Sequence, residues 1–315
     1  MSGLRIGVVG IGHLGNYHLQ KYAGMPDCRI FGVVDLDGER ARKASELYGC
    51  EALFDHRDLI GKVDAVSIAV PTFSHYRVAK DFLEAGVDVL LEKPIAATLG
   101  EADELIAMAE ARGTVFQIGL VERFNPAIIA LREVMGKPLF IEAHRLHPFF
   151  ERGTDVDVVL DLMIHDLDII SLFVPSAVRS VEAVGVPVLS SKVDIANARL
   201  TFEDGCVANI TASRISGKTM QKIRFFGLEG YHAVDYGKRE LVSLRRVNGA
   251  GGCVEIIENT VEVKQLDPLE VEIRSFLRSA INRTEPQVSG REGRRCLELA
   301  VRILESMTMA KGVSP

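Results

Sequence analysis

The chain has 315 residues, 47% of them hydrophobic and 25% charged. These are the proportions of an ordinary globular protein, not of a fibre, a disordered tail or a disulfide miniprotein. With 37 basic against 43 acidic residues, the net charge is −6, which argues against a broad basic surface for nucleic acid or an anionic membrane. At roughly 150 residues per domain the length predicts two domains.

From Arg5 to Gly119 short apolar runs alternate with helix-period segments. Arg5–Val9, Ile30–Val34, Ala65–Val70, Val87–Leu91 and Val115–Ile118 read as buried strands, rich in Val and Ile and without polar alternation. Gly49, Gly86 and Gly113 stand where left-handed residues would close the helices Ala41–Tyr48, Tyr76–Ala85 and Leu105–Ala111. Thr98 followed three residues later by Glu101 makes a capping box for the last of these. Strand–helix–strand repetition predicts a doubly wound parallel sheet with right-handed crossovers over residues 1–120.

After Gly119 the rhythm changes. A helix opens at Asn125-Pro126 and runs to about Met135, a strand covers Pro138–His147, and a helix covers Val156–Phe173. Strands then dominate: Ser180–Val188, Ile195–Phe202, Val207–Ser213, Lys222–Gly227 and Tyr231–Tyr236, with Asp204-Gly205 as a hairpin turn. Glu270–Met307 reads as two helices, and Gly249–Gly252 as a loop. Residues 121–315 are therefore expected to form an α+β domain with an open, mainly antiparallel sheet. The first 120 residues carry 12 basic and 17 acidic side chains and the remainder 25 and 26, so most of the negative charge belongs to the first domain.

The five cysteines are odd in number, widely spaced and without a C-x-x-C pair, which fits a reducing compartment. Arg5 beside a glycine-broken apolar run does not read as a signal peptide. The longest apolar stretch, Val156–Pro175, includes Asp157, Asp161, His165, Asp166 and Asp168, which excludes a membrane span there. A cytoplasmic location is expected.

The first strand runs into Gly10-Ile11-Gly12-His13-Leu14-Gly15, a G-x-G-x-x-G turn between strand and helix. Glycine lets the chain turn sharply and approach a pyrophosphate at the helix N-terminus. Asp35, twenty residues past Gly15, ends the second strand, where a carboxylate accepts from the ribose hydroxyls and repels a 2′-phosphate. NAD is the expected cofactor. Asp37 reads as a turn residue, and no arginine directly follows Asp35.

Two further strand ends fall at the ligand edge of such a sheet: Ala69-Val70-Pro71-Thr72, followed by His75, and Glu92-Lys93-Pro94. Lysines are usually surface residues, but Lys93 follows a fully apolar strand. His75 is either a cofactor neighbour or only the start of a helix. On the helix Val156–Phe173, Asp161, His165 and Asp168 occupy i, i+4 and i+7 and share a face, with apolar residues on the others. Ionisable groups on a buried helix need partners or a cavity. A structural Asp–His pair and a metal site remain open, and a catalytic face is favoured.

These motifs, in this order and spacing, together with Phe225-Phe226-Gly227-Leu228-Glu229-Gly230, resemble the Gfo/Idh/MocA oxidoreductases over essentially the whole chain. The resemblance implies a Rossmann domain followed by an α/β domain whose open sheet mediates homodimers or homotetramers. It places Lys93 beside substrate and cofactor, and gives His165 and Asp161 the proton transfer. The family's glycines before the aspartate are replaced by Val158-Val159-Leu160, which leaves the pocket wall in question. Ala69–Thr72, the Glu122-Arg123-Phe124-Asn125-Pro126 run and Leu160–Asp166 are most similar to the branch that oxidises the 3-hydroxyl of UDP-N-acetylglucosamine. The 3-keto product of that branch is used by an aminotransferase, notably for lipid A with amide-linked chains. By this likeness Arg123 and Asn125 join Lys93, Asp161 and His165 at a nucleotide-sugar substrate. Between Asp204 and Glu229 lie Arg214, Lys218, Lys222 and Arg224 and no acid; facing a pocket, they would suit a diphosphate. Oxidation of inositol or a free sugar, and a non-catalytic NAD-binding regulator, are the competing expectations.

Overall fold

A computed structural model of the chain describes residues 3–149, 156–248 and 253–309. The glycine loop at 249–252 lies outside them. Contacts along the chain divide it into two units, Met1–Val121 with Pro268–Leu297, and Glu122–Asp267 with Glu298–Pro315.

The first unit holds β1 (Leu4–Val9), α1 (His13–Ala23), β2 (Cys28–Val34), α2 (Gly38–Tyr48), β3 (Glu51–Leu53), β4 (Ala65–Ile68), α3 (His75–Glu84), β5 (Asp88–Glu92), α4 (Leu99–Arg112) and β6 (Phe116–Gly119). Its six strands form a parallel sheet in the order β3-β2-β1-β4-β5-β6. Every residue of β4, β5 and β6 is buried, as in strands covered on both faces. The helix signals act as expected: Thr98 and Glu101 form the capping box of α4, and Asp37 caps α2 by accepting from Glu39 and Arg40 N–H. Gly49 and Gly113 close their helices in the left-handed region.

The second unit begins with α5 (Pro126–Val134) and β7 (Phe140–Leu146), followed by α6 (Ile164–Phe173). Then come β8 (Val178–Val186), β9 (Ile195–Phe202), β10 (Val207–Ser213), β11 (Met220–Gly227), β12 (Gly230–Asp235), β13 (Glu240–Asn248) and β14 (Val254–Glu258). The chain ends in α7 (Pro268–Asn282), α8 (Gly290–Ser306) and β15 (Met307–Met309). The second sheet runs β14-β13-β12-β11-β7-β10-β9-β8-β15, antiparallel except at the β7–β10 and β8–β15 pairs. Its strands alternate: Ile141, Ala143, Ala196, Ala198, Leu200, Ala208, Ile210 and Ala212 enter one core with Ile128, Leu131, Ile169 and Ile170 of the helices. Glu142, His144, Asn197, Arg199, Asn209 and Thr211 line a shallow cavity on the opposite face.

Three expectations are corrected. Residues 268–297, read with the second domain, group with the first, because Ile273, Phe276 and Leu277 form one helical stripe packed on Ile6, Val8, Leu19 and Tyr22. The helix expected over Val156–Phe173 is not uniform, since Val159–Met163 forms a π turn before α6. Strands β13, β14 and β15 extend the second sheet beyond the expected last strand, Tyr231–Tyr236. Among the described residues no helix is long and apolar enough to cross a membrane.

Candidate functional site

The turn after β1 is shaped by three glycines, each for a different reason. Gly10 has φ +88°, and a Cβ there would lie 2.6 Å from Ala69 O. A Cβ on Gly15 would lie 1.8 Å from Gly10 O, so α1 packs directly on the turn. At Gly12 a Cβ would meet nothing within 4 Å, and this residue starts α1 without any side-chain cap. The helix N-terminus therefore offers its N–H groups and positive dipole end to an anion. The side chains of His13 and Leu14 are exposed, so these residues would serve through backbone N–H. Asp35 is held ready beside this cradle. Its Oδ2 accepts from Ile11 N–H at 2.7 Å and its Oδ1 from Asp37 N–H at 2.8 Å. Arg40, one turn into α2, stands 3.3 Å from the same carboxylate. An open approach at Gly12 with an oriented carboxylate fits a dinucleotide whose ribose is free of phosphate.

At the ends of β4 and β5 the side chains divide into framework and exposed groups. Pro71 and Thr72 open a short 3-10 turn and are at least partly exposed, as is Ala69. His75 is only 1% exposed, with Nδ1 2.7 Å from Pro94 O and Nε2 2.9 Å from Val70 O. It braces one strand end against the next. Burial pulls its imidazole below the ordinary range against these carbonyls. Glu92 and Pro94 are likewise buried, and Glu92 accepts from His18 Nε2–H at 3.1 Å and Lys93 N–H at 3.3 Å. Both side chains belong to the framework of this strand end. Lys93 alone of the three keeps a partly exposed side chain.

In the second unit Asp161, on the π turn, and His165, in the first turn of α6, are partly exposed, while Asp166 and Asp168 are fully buried. Asp168 Oδ2 accepts from Arg123 Nε–H at 3.0 Å, and Arg123 pairs with both carboxylate oxygens. Asp168 is thereby paired within the fold, unlike the partly exposed Asp161 and His165. Asp166 accepts from Arg145 Nε–H at 2.9 Å, and Arg145 also donates to Glu122 at 2.9 Å. The Arg145 guanidinium stacks 4.7 Å from the Tyr236 ring. Burial alone would weaken the Arg145 cation, but Asp166 and Glu122 outweigh it and hold the charge. Burial pushes the Tyr236 hydroxyl far above its ordinary range.

Arg123 and Asn125, expected at the substrate, are both held in this network. Arg123 is 4% exposed and occupied by Asp168. Asn125, 2% exposed, caps α5 and donates to Glu122 and to Tyr236 O. Both side chains fix the helices. Val158 and Val159, in place of the family's glycines, are buried in the core of the sheet. The basic stretch does not form a cation field either. Arg214 is buried against Asp194, Lys222 pairs with Asp235 and Arg224 with Glu142. Among the described residues no three His, Cys, Asp or Glu side chains stand together as a metal site.

Sequence reasoning missed the buried partners His18, Ser67, Tyr22, Arg145 and Asp166. A signal existed for two of them. His18 shares a helical face with Gly15, Leu19 and Tyr22, all buried, and Arg145 falls on the inward parity of β7 with Ile141 and Ala143.

Comparison with known proteins agrees with this geometry. A family model described as an oxidoreductase family with an NAD-binding Rossmann fold, GFO/IDH/MocA, matches residues 4–120, and the GFO/IDH/MocA C-terminal domain matches residues 132–232. The chain is 39% identical to the UDP-N-acetylglucosamine 3-dehydrogenase of Acidithiobacillus ferrooxidans, over 96% of this chain and 97% of that protein. The solved structure of that enzyme superposes with TM-score 0.90 and 38% identity, covering 98% of each chain. The myo-inositol 2-dehydrogenase of Thermotoga maritima is 26% identical over 98% of each chain. Levoglucosan dehydrogenase, solved with NADH and levoglucosan, shares the fold at TM-score 0.85 and 19% identity over 97% of each chain. With a Rossmann cradle built for NAD and both domain models matched, the chain belongs to the Gfo/Idh/MocA family of NAD-dependent oxidoreductases.

Proposed function

We propose that this enzyme oxidises the 3-hydroxyl of UDP-N-acetylglucosamine to the 3-keto sugar. The observation that carries the reading is the 39% identity to the A. ferrooxidans enzyme along nearly the whole of both chains. The identity to the inositol dehydrogenase is lower, at 26%, and inositol is the second reading.

NAD, when bound, supplies the hydride-accepting carbon. Gly10, Gly12 and Gly15 with the N–H groups of His13 and Leu14 would hold its pyrophosphate, Asp35, steadied by the Ile11 N–H, would hold its ribose, and Ala69, Pro71 and Thr72 would line its path. His165 takes the proton of the reacting hydroxyl, a role that imidazole fills well near neutral pH. Asp161, on the preceding π turn, orients the ring. The Lys93 ammonium lowers the energy of the developing alkoxide, an interaction that strengthens only as charge appears. The 3-keto sugar is then a substrate for an aminotransferase, which places the enzyme in the supply of amide-linked lipid A in the cytoplasm. The polar face of the second sheet, bearing Glu142, His144, Asn197 and Arg199, is the surface through which homodimers or homotetramers assemble.

The test is NADH formation at 340 nm with UDP-N-acetylglucosamine, other UDP-sugars, inositols and free hexoses. Highest kcat/KM for UDP-N-acetylglucosamine is expected, and preference for an inositol would select the second reading. His165→Ala is expected to lower kcat by about 10²–10⁴-fold. Unchanged kcat in both His165→Ala and Lys93→Ala would remove the catalytic assignment.

A further inference from the structure

The buried groups beneath Glu92-Lys93-Pro94 form a directed chain that the proposed chemistry does not use. Tyr22 Oη lies 2.8 Å from Ser67 Oγ, Ser67 Oγ 3.1 Å from His18 Nδ1, and His18 Nε2 3.1 Å from Glu92 Oε1. Burial raises the Tyr22 hydroxyl well above its ordinary range, so it stays protonated and can donate to Ser67. The Glu92 carboxylate only accepts, and that orders the rest: Nε2–H donates to Glu92, and the Ser67 hydroxyl donates to His18 Nδ1. The ring is thus fixed in one tautomer, and each polar atom of the chain has a partner.

Glu92 is confined on its other side as well. It pairs in register with Gly119 on β6, where a Cβ would lie 3.1 Å from the carboxylate carbon. One carboxylate oxygen takes His18 and the other takes the Lys93 N–H at 3.3 Å. Rotation of this carboxylate would therefore turn the peptide that carries Lys93. His18 belongs to α1, the helix whose first turn cradles the pyrophosphate. One rigid helix thus touches both the cofactor cradle and the catalytic turn.

The geometry points to His18 as a positioning residue for Lys93: through Glu92 it fixes the orientation of the lysine relative to the cofactor helix. This rests on the assignment of Lys93 to the reaction. It predicts that His18 governs turnover rather than cofactor affinity, because misplacing a reacting group by about 1 Å costs up to ~10²-fold in rate. A satisfied core histidine, by contrast, would govern stability alone.

The test compares His18→Asn, His18→Gln and Lys93→Met in the full-length enzyme with UDP-N-acetylglucosamine. A glutamine amide reaches the place of Nε2 and can donate to Glu92, whereas asparagine reaches only the place of Nδ1. His18→Asn is expected to lower kcat by roughly 10–100-fold, leaving the NADH dissociation constant within about threefold, and His18→Gln to recover most of kcat. A readout independent of substrate is the labelling of Lys93 by an amine-reactive ester, followed against pH by peptide mass spectrometry. His18→Asn should displace its pH midpoint, and His18→Gln should restore it. Wild-type kcat and labelling in His18→Asn, or equal loss in both His18 variants tracking a lower Tm, would overturn the inference. Full activity in Lys93→Met would instead overturn the assignment of Lys93. Should His18→Asn fail to fold, Ser67→Ala removes the hydroxyl that fixes the tautomer but keeps the ring. A fall in kcat at unchanged NADH affinity supports the inference there, and wild-type kcat and labelling overturn it.

Discussion

The glycine turn allows a sharp separation between folding and cofactor binding. Gly12 has φ −74° and ψ −158°, extended backbone that alanine adopts, and a Cβ there meets nothing within 4 Å. Alanine restricts the unfolded chain, worth ~0.4–1 kcal/mol, but is a poorer helix start than glycine by a similar amount. The two effects nearly cancel, so Gly12→Ala should melt with the wild type. The methyl group would nevertheless stand where the pyrophosphate must approach. Losing one charge-assisted hydrogen bond costs about 1.5–3 kcal/mol, or roughly 10–150-fold in affinity. Gly15→Ala behaves oppositely. Its Cβ would lie 1.8 Å from the Gly10 carbonyl oxygen, a backbone atom that no rotamer change can move aside. Overpacking of this kind costs ~1–3 kcal/mol or more, which lowers Tm by several degrees at about 2–4 °C per kcal/mol. NADH fluorescence titration and thermal melts without cofactor make the comparison. Wild-type NADH affinity in Gly12→Ala, or an equal loss of Tm in the two variants, would refute this division of roles.

Removing the Asp35 carboxylate, as in Asp35→Ala, should lower kcat/KM for NAD⁺ and raise the NADP⁺/NAD⁺ ratio, because ribose recognition and 2′-phosphate repulsion are lost together; an unchanged ratio counts against the role of Asp35. Arg145→Met leaves the buried Asp166 carboxylate without its cation, a loss of about 3–5 kcal/mol. A sharp fall in Tm is expected, and one within a degree of wild type would show the network to be dispensable. Asp194 tests pH dependence: burial opposes its ionisation, but the N–H groups of Leu189, Ser190 and Val188 outweigh this and hold its carboxyl below the ordinary range. A depressed folded-state value means the stabilisation is complete above the unfolded value and is lost as pH falls towards the folded one, from about pH 5 downward. Asp194→Asn should therefore melt lower at neutral pH with a flatter acid limb, and an acid limb parallel to wild type would contradict the assignment.

The parts legible in the sequence were those whose cause is local. The first unit was readable because its parallel strands are mostly apolar, and β4, β5 and β6 are buried at every residue. Helix ends were readable because Asp37, Thr98, Glu101 and Gly113 act on neighbours within a turn. Strands β13 and β14 escaped because they are largely solvent-exposed, β14 at every position, so no apolar alternation marks them. α7 was found as a helix, but its stripe of Ile273, Phe276 and Leu277 fits any apolar surface equally well, and only the folded chain reveals Ile6 and Leu19 as its partners. The site shows the same boundary more sharply. Residue type and spacing singled out Asp161, His165 and Asp168 as one face, yet Arg123 lies across from Asp168 and pairs with it within the fold. Arg123 and Asn125 themselves had the polarity of ligand contacts and proved to be spent on Asp168, Glu122 and Tyr236. Sequence distance explains the difference: Arg123 reaches Asp168 across 45 residues and His18 reaches Glu92 across 74. A titratable side chain on a buried face is therefore visible in sequence as a demand for a partner. The identity of that partner decides between framework and chemistry, and only the fold supplies it.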